Sequence, residues 1–251
     1  MMQAEDFYLS SHTREIPEEE YRKAEIVVDT LNAVSRITFQ NLYVIDYYKK
    51  KFLYVSENPL FLCGHTAEEV RELGYGFYRE HTFENNHAML TEIYRAGFDF
   101  YEHLPAAEKL QHTMSYDFLL KDGHEKILVN HKFTPILLTD DGKVWLAACA
   151  VTPSSHTASR HLIMYRTGSS AYREYSFDSH SWGEEKQRIA LNEKERKIML
   201  LAAQGYTMDE IAEKLGITPH TVKYHKKELF KKLDTENMME ALLFAENYKL
   251  L

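Results

Sequence analysis

Residues 218–233, TPHTVKYHKKELFKKL, set five lysines against one glutamate, a local charge of +4. Lysines at that density suit a polyanion, and equally suit a solvated helix face. A helical projection at about 100° per residue sorts them. With Val222 at zero, Leu229 and Leu233 fall within about 20° and form a buried stripe. His220, Lys223, Tyr224, Lys227 and Lys231 fall on the opposite side. A helix presenting one aromatic and three lysines there can enter a DNA major groove. Its lysines reach phosphates or guanine edges, and Tyr224 contacts bases by packing or through its hydroxyl. Thr218 and Thr221 stand in the first turn, where orphan N–H groups can hold a phosphate.

Those side chains need a scaffold, and the flanking sequence predicts one. Asn192 followed by Glu195 is a cap with its partner three residues on, opening a helix to about Ala203, and Gly205 ends it. Thr207 with Glu210 is a second capping box, opening a helix to Leu215 that Gly216 terminates. Thr218-Pro219 then starts the lysine-bearing helix. About three residues join the last two helices, which is the spacing of a helix-turn-helix.

At this point the residues carry a resemblance. Residues 191–233 resemble the LuxR-type (NarL/FixJ-type) helix-turn-helix of bacterial transcription regulators. The marks are Leu191, Glu195, Gly205, Glu210-Ile211-Ala212, Leu215, Ile217, Thr221-Val222-Lys223, His225 and Lys232-Leu233. Sigma-factor DNA-binding regions share Glu-Ile-Ala. The Lys223-x-His225 spacing and Lys232-Leu233 favour the LuxR type. The resemblance implies that residues 219–233 are the recognition helix, with Lys223, Tyr224 and Lys227 base-facing. It also implies a fourth, dimerising helix over about 236–249, with Met238, Ala241, Leu242 and Ala245 as apolar candidates. Where that family usually has glycine after Lys-Leu, this sequence has Asp234, which tolerates a left-handed backbone less well.

Upstream the texture changes. Residues 17–38 read as a helix, with Pro17 and three glutamates at its positive end and Ile26, Val27, Leu31, Val34 and Ile37 at helical spacing. It forms either a dimer seam or a flank packed on the next domain. Residues 39–46 and 51–56 read as strands, 66–73 and 84–96 as helices, and 115–120, 126–138 and 143–151 as strands joined by two Asp-Gly turns. In this order residues 39–152 resemble a PAS domain, which implies a five-stranded antiparallel sheet with short helices on one side. It also implies a sensory or dimerisation role, and a small molecule held between sheet and helices in many members. Residues 153–183 are rich in turn formers and read as a linker; residues 184–251 read as the helix-turn-helix domain. The fold class expected is α+β.

Composition excludes other classes. The chain has 251 residues with 44% apolar and 27% charged, so it can bury cores. Its two cysteines, Cys63 and Cys149, cannot supply a disulfide framework. No signal pattern or apolar stretch of about 20 residues occurs, so a cytoplasmic location and no membrane partner are expected. The net charge of −8 lies wholly in the first 183 residues, because residues 184–251 hold twelve basic and twelve acidic side chains. No catalytic triad, phosphate loop or zinc motif stands out, and no cofactor is required. Cys63 reads as a small buried residue; His81, His87, His103, His112, His124 and His131 show no metal spacing. Tyr43, Phe52, Tyr54, Phe61, Tyr75 and Phe77 could line a pocket, though aromatics at strand spacing more often fill a core.

The expected function is a non-enzymatic, sequence-specific regulator of transcription. It would act as a homodimer on double-stranded promoter DNA, in a role compatible with contact to RNA polymerase and with a small-molecule ligand in the PAS-like domain. The alternative class is an enzyme or adaptor in the first 183 residues with secondary DNA binding.

Overall fold

The computed structural model describes residues 16–187, 189–248 and 250–251. Residues 1–15, read above for targeting signals, and Lys249, in the expected fourth helix, lie outside them. The chain forms two compact units. One runs through Pro153 and resumes over Ala158–Lys186; the other comprises Ser154–Thr157 and Gln187–Leu251.

The first unit is built on one antiparallel sheet. Strands β1 (Asn41–Asp46) and β2 (Lys51–Val55) form a hairpin; β3 (His112–Asp122), β4 (Glu125–Leu138) and β5 (Val144–Pro153) complete the central five, in spatial order β2-β1-β5-β4-β3. Glycines serve the turns: Gly123 and Gly142 take positive φ of 58° and 76° between β3, β4 and β5. Between β2 and β3 run α2 (Pro59–Leu62), α3 (Ala67–Leu73), α4 (Gly76–His81), α5 (Glu84–Glu102) and α6 (Ala106–Lys109). Phe61, Val70, Phe77, Leu90, Ile93 and Tyr94 from these helices share one buried cluster with Tyr43, Ile45, Tyr116 and Phe133 of the sheet. This is the sheet-and-helix layering that the PAS resemblance implies.

Helix α1 (Tyr21–Ser35) follows a short 3₁₀ turn over Glu18–Glu20. Tyr21 and Ala24 pack with Val44, Trp145 and Leu146; Val44 alternates with Tyr43 and Ile45 of the main cluster, so α1 lies on the sheet's other face. The Tyr21 hydroxyl donates to Asp46 Oδ2 at 2.8 Å. Coverage from both sides explains why every residue of β1 is buried. Tyr54 belongs here too, donating to Ser35 Oγ at 2.8 Å, rather than with the pocket aromatics among which the sequence grouped it.

Two expectations need correction. Residues 153–183 are not simply a linker: β6 (Leu162–Arg166) pairs with β3, β7 (Ala171–Ser176) with β6 and β8 (Ser181–Trp182) with β7. The turn formers 168–170 and 177–180 are hairpin turns between strands, and Leu162, Ile163, Met164 and Tyr165 are buried. Helix α5 runs on to Glu102 instead of stopping at Ala96, passing through Gly97. A Cβ there would stand 2.2 Å from Met114 Sδ, so the glycine permits close approach of helix to sheet.

Candidate nucleic-acid interface

Each helix of the second unit starts where a side chain satisfies its first N–H groups. In α7 (Glu193–Ala203) Asn192 accepts from Glu195 N, and Glu195 Oε2 accepts from Asn192 N. In α8 (Met208–Leu215) Thr207 and Glu210 make the same exchange, and the bonds from Thr207, its backbone N–H foremost, hold the Glu210 carboxyl below the usual range. Gly216, at φ 63°, turns the chain, and Ile217 leads to the Thr218 cap of α9 (Pro219–Leu233).

Helix α9 is held along its apolar stripe. Val222 is buried with Ile198, Ile211 and Ala212; Leu229 and Leu233 are buried with Met199, Ala241 and Ala245. The opposite face is open: Thr218, His220, Lys223, Tyr224, Lys227 and Lys231 are exposed, Tyr224 to 57%, and Thr221 is half-buried. The structure therefore brings all seven sequence-derived candidates to one side and the N-terminal turn of one helix. Thr218 Oγ1 accepts from Thr221 N at 3.2 Å, and the two hydroxyls lie 2.9 Å apart. One hydroxyl donates to the other, so one proton remains for an outside acceptor.

The lysines are not equivalent. Lys232 Nζ reaches Glu195 Oε2 at 2.8 Å, and the Glu195 side chain is only 7% exposed. That pair ties α9 to the start of α7. The charge available to a polyanion therefore centres on Lys223, Lys227 and Lys231. The sequence count could not separate Lys232, because its partner is 37 residues away.

Asp234 ends α9 with φ 53° and ψ 51°, so an aspartate occupies the left-handed cap. Helix α10 (Met238–Asn247) follows, capped by Asn237. Ala241 and Ala245 are fully buried within their own unit, and Met238 and Leu242 pack beside them. Ala241 and Ala245 are internal core, a correction to their expected place among the dimer candidates, whereas Met238 and Leu242 are half-buried. Met239, 75% exposed, marks the open side of α10.

Comparison with known proteins bears on this unit. Residues 190–245 match the family of bacterial regulatory proteins, luxR family. The carboxy-terminal unit carries a luxR-family domain. Response regulator protein VraR of Staphylococcus aureus (strain Mu3 / ATCC 700698) is 38% identical over 61 residues, covering 24% of this chain and 29% of VraR. VraR of Staphylococcus epidermidis matches to the same extent. The chain thus spans under a third of these relatives' length. Among solved structures, a phage VqmA–DPO complex is 16% identical, covering 93% of this chain and 92% of that one with a TM-score of 0.35. A Vibrio cholerae VqmA dimer solved without target DNA is 14% identical over 89% and 88%, with a TM-score of 0.34. Agreement that loose leaves the first unit to be argued from its own topology.

In that first unit, sequence reading passed over a buried polar cluster. The Tyr43 hydroxyl contacts both the Tyr78 hydroxyl and His131 Nε2, and Tyr94 and Tyr116 share a hydrogen bond of 3.0 Å. Burial pushes His131 down to about 3 and Tyr43, Tyr78 and Tyr116 well above the ordinary tyrosine value. His131 Nδ1 is buried without a hydrogen-bond partner. Tyr43 of β1 and His131 of β4 both turn inward, and no local signal in the sequence paired them. Cys63 and Cys149 are buried and unpaired with each other, and burial pushes the Cys63 thiol up to about 12. Among the described residues no helix is long and apolar enough to cross a membrane.

Proposed function

We propose that this chain is a sequence-specific DNA-binding regulator of transcription, acting as a homodimer, in which α9 enters the major groove and the PAS-like unit receives a signal. The single observation that carries this reading is the α9 face. Three lysines, a tyrosine and a histidine stand in solvent on a helix whose opposite side is locked by Val222, Leu229 and Leu233. A rigid helix with a free cationic face is what groove reading requires. The luxR-family match over residues 190–245 supports it, since that family consists of regulatory proteins. Lys223, Tyr224 and Lys227 are assigned to bases. Lys231 and the Thr218–Thr221 turn are assigned to phosphates, the turn offering N–H groups and one spare hydroxyl proton.

For the PAS-like unit, the unpaired Nδ1 of His131 supports a ligand role. A buried polar atom left unsatisfied costs about 1–3 kcal/mol, which a small polar molecule reaching it would recover.

The test is selection of genomic DNA fragments on the intact protein, then titration of the selected site at several salt concentrations. Lys223→Ala and Lys227→Ala should each weaken binding. Loss of a phosphate contact flattens the salt slope by about 0.9; loss of a base contact instead relaxes sequence preference. Unchanged affinity in both variants overturns the reading.

A further inference from the structure

We propose that His65, Glu80 and His81 form a binding site for a divalent transition metal ion of the zinc class, on the helical side of the PAS-like unit. The proposal is independent of DNA binding. His65 lies in the turn between α2 and α3, and Glu80 and His81 end α4. One ligand atom from each of the three lies within 4.8 Å of the others.

The hydrogen bonds around the two rings make the case. His81 Nδ1 stands 3.0 Å from the Lys121 carbonyl oxygen, which can only accept, so Nδ1 carries the proton. The His81 Nε2 lone pair is then left to point outward, and it points at His65 Nε2, 2.8 Å away. His65 Nδ1 faces Glu69 Oε2 at 3.9 Å, beyond hydrogen-bond reach, so His65 can turn either a proton or a lone pair toward His81 from Nε2. With the His65 proton on Nδ1, two Nε2 lone pairs converge on a site that a cation can occupy. A proton could do so alone, but the Glu80 carboxylate supplies a third convergent donor, which a shared proton does not need. Two imidazoles and a carboxylate are a familiar zinc donor set, and an imidazole whose other nitrogen donates to a carbonyl is the usual orientation of a metal-bound histidine. Nitrogens on tetrahedral zinc lie about 3.3 Å apart, given Zn–N near 2.0–2.1 Å, so small side-chain rotations suffice. The fourth position faces solvent, since Glu80 is exposed and both histidines are half-buried. The 16-residue gap between the histidines hid the site from any reading of local spacing.

Phe77 stacks on His81 with centroids 4.7 Å apart and packs against Phe61 at 4.9 Å. Metal binding would therefore fix the end of α4 and the α2–α3 turn against the aromatic core.

The experiment takes the intact protein, stripped with chelator and dialysed, and titrates it with Zn²⁺ by calorimetry and with Co²⁺ by visible absorption. We expect one ion per chain, with affinity lowered at least tenfold in His65→Ala and His81→Ala and less in Glu80→Gln. His81→Asn guards against misfolding: its amide can still donate to the Lys121 carbonyl while Nε2 is lost, so it should fold and still bind weakly. Zn²⁺ should also shift the imidazole ¹⁵N resonances of both histidines. Failure of the wild type to bind at micromolar Zn²⁺ overturns the site, as does full-affinity binding by the His65→Ala/His81→Ala double variant. Unmoved resonances of the two rings on saturation would overturn it equally.

Discussion

At the scale of single residues, the lysines of α9 divide by what they touch. Lys231 is exposed, whereas Lys232 neutralises a carboxylate buried at the foot of α7. Removing Lys232 leaves the Glu195 carboxylate with only the Asn192 N–H and the positive end of α7 to offset its charge. The penalty for a fully buried pair is about 3–5 kcal/mol, and the partial exposure of Lys232 brings the expectation to about 2 kcal/mol. Lys232→Ala should therefore lower the denaturant midpoint of the second unit. Lys231→Ala should leave that midpoint alone and flatten the salt dependence of DNA binding. An equal stability loss in both would mean that Glu195 does not depend on Lys232. His131 gives a pH prediction. Its folded value near 3 lies below the unfolded value near 6.5, so between those limits the unfolded chain binds a proton that the folded chain does not. Stability therefore falls as pH drops from about 6.5 toward 3, by about 1.4 kcal/mol per pH unit from this group. His131→Phe should reduce the measured slope of unfolding free energy against pH by one proton in that window. An unchanged slope would show that the ring is not held neutral.

At the scale of elements, the contrast between α9 and α5 shows what a sequence can and cannot reveal. The boundaries of α7, α8 and α9 were legible because each start is a local exchange between residues three apart, and Gly205 and Gly216 mark ends by conformation. The face of α9 was legible for the same reason: 3.6-residue periodicity fixes which side chains share a side. The true end of α5 was not legible, because Gly97 serves to leave space for Met114, seventeen positions on in sequence. Turn formers misled at 153–183, where they close hairpins whose partner, β3, is about 50 residues earlier. Lys232–Glu195, Tyr43–His131 and His65–His81 were hidden alike, being tertiary pairs with no local signature. Gly97 yields the test of this scale. Gly97→Ala gains up to about 1 kcal/mol of helix propensity, while forcing extra volume into a packed core typically costs about 1–3 kcal/mol. Met114 is fully buried, so the cost should win and the melting temperature fall. Shortening the neighbour in Gly97→Ala/Met114→Ala should show a favourable coupling between the two sites. Simple additivity would mean that α5 and β3 are not in the close contact seen here.

At the scale of the whole molecule, charge is distributed unevenly, and that has consequences for function. The first 183 residues carry the net −8, while the lysine face is confined to one helix of a neutral segment. A single cationic element on an acidic protein cannot hold DNA by broad attraction, because most of the surface repels phosphate. On the proposed reading, a few well-placed contacts per chain are doubled by dimerisation. In a two-fold dimer the recognition helices meet half-sites about one helical turn apart, about 34–36 Å or 10–10.5 base pairs. This predicts a specific response to spacing. Inserting about 5 base pairs between the half-sites of a selected operator turns the second half-site to the opposite face of the duplex, and affinity for the intact protein should drop toward the non-specific level. Inserting about 10 restores the facing but lengthens the span, so recovery should be partial in a rigid dimer and nearly full in a dimer with mobile DNA-binding units. Gel-shift titration at fixed salt reads all three operators. Indifference to the 5-base-pair insertion would mean that a single chain binds alone, and the charge distribution would then have to be offset by more base contacts than α9 provides.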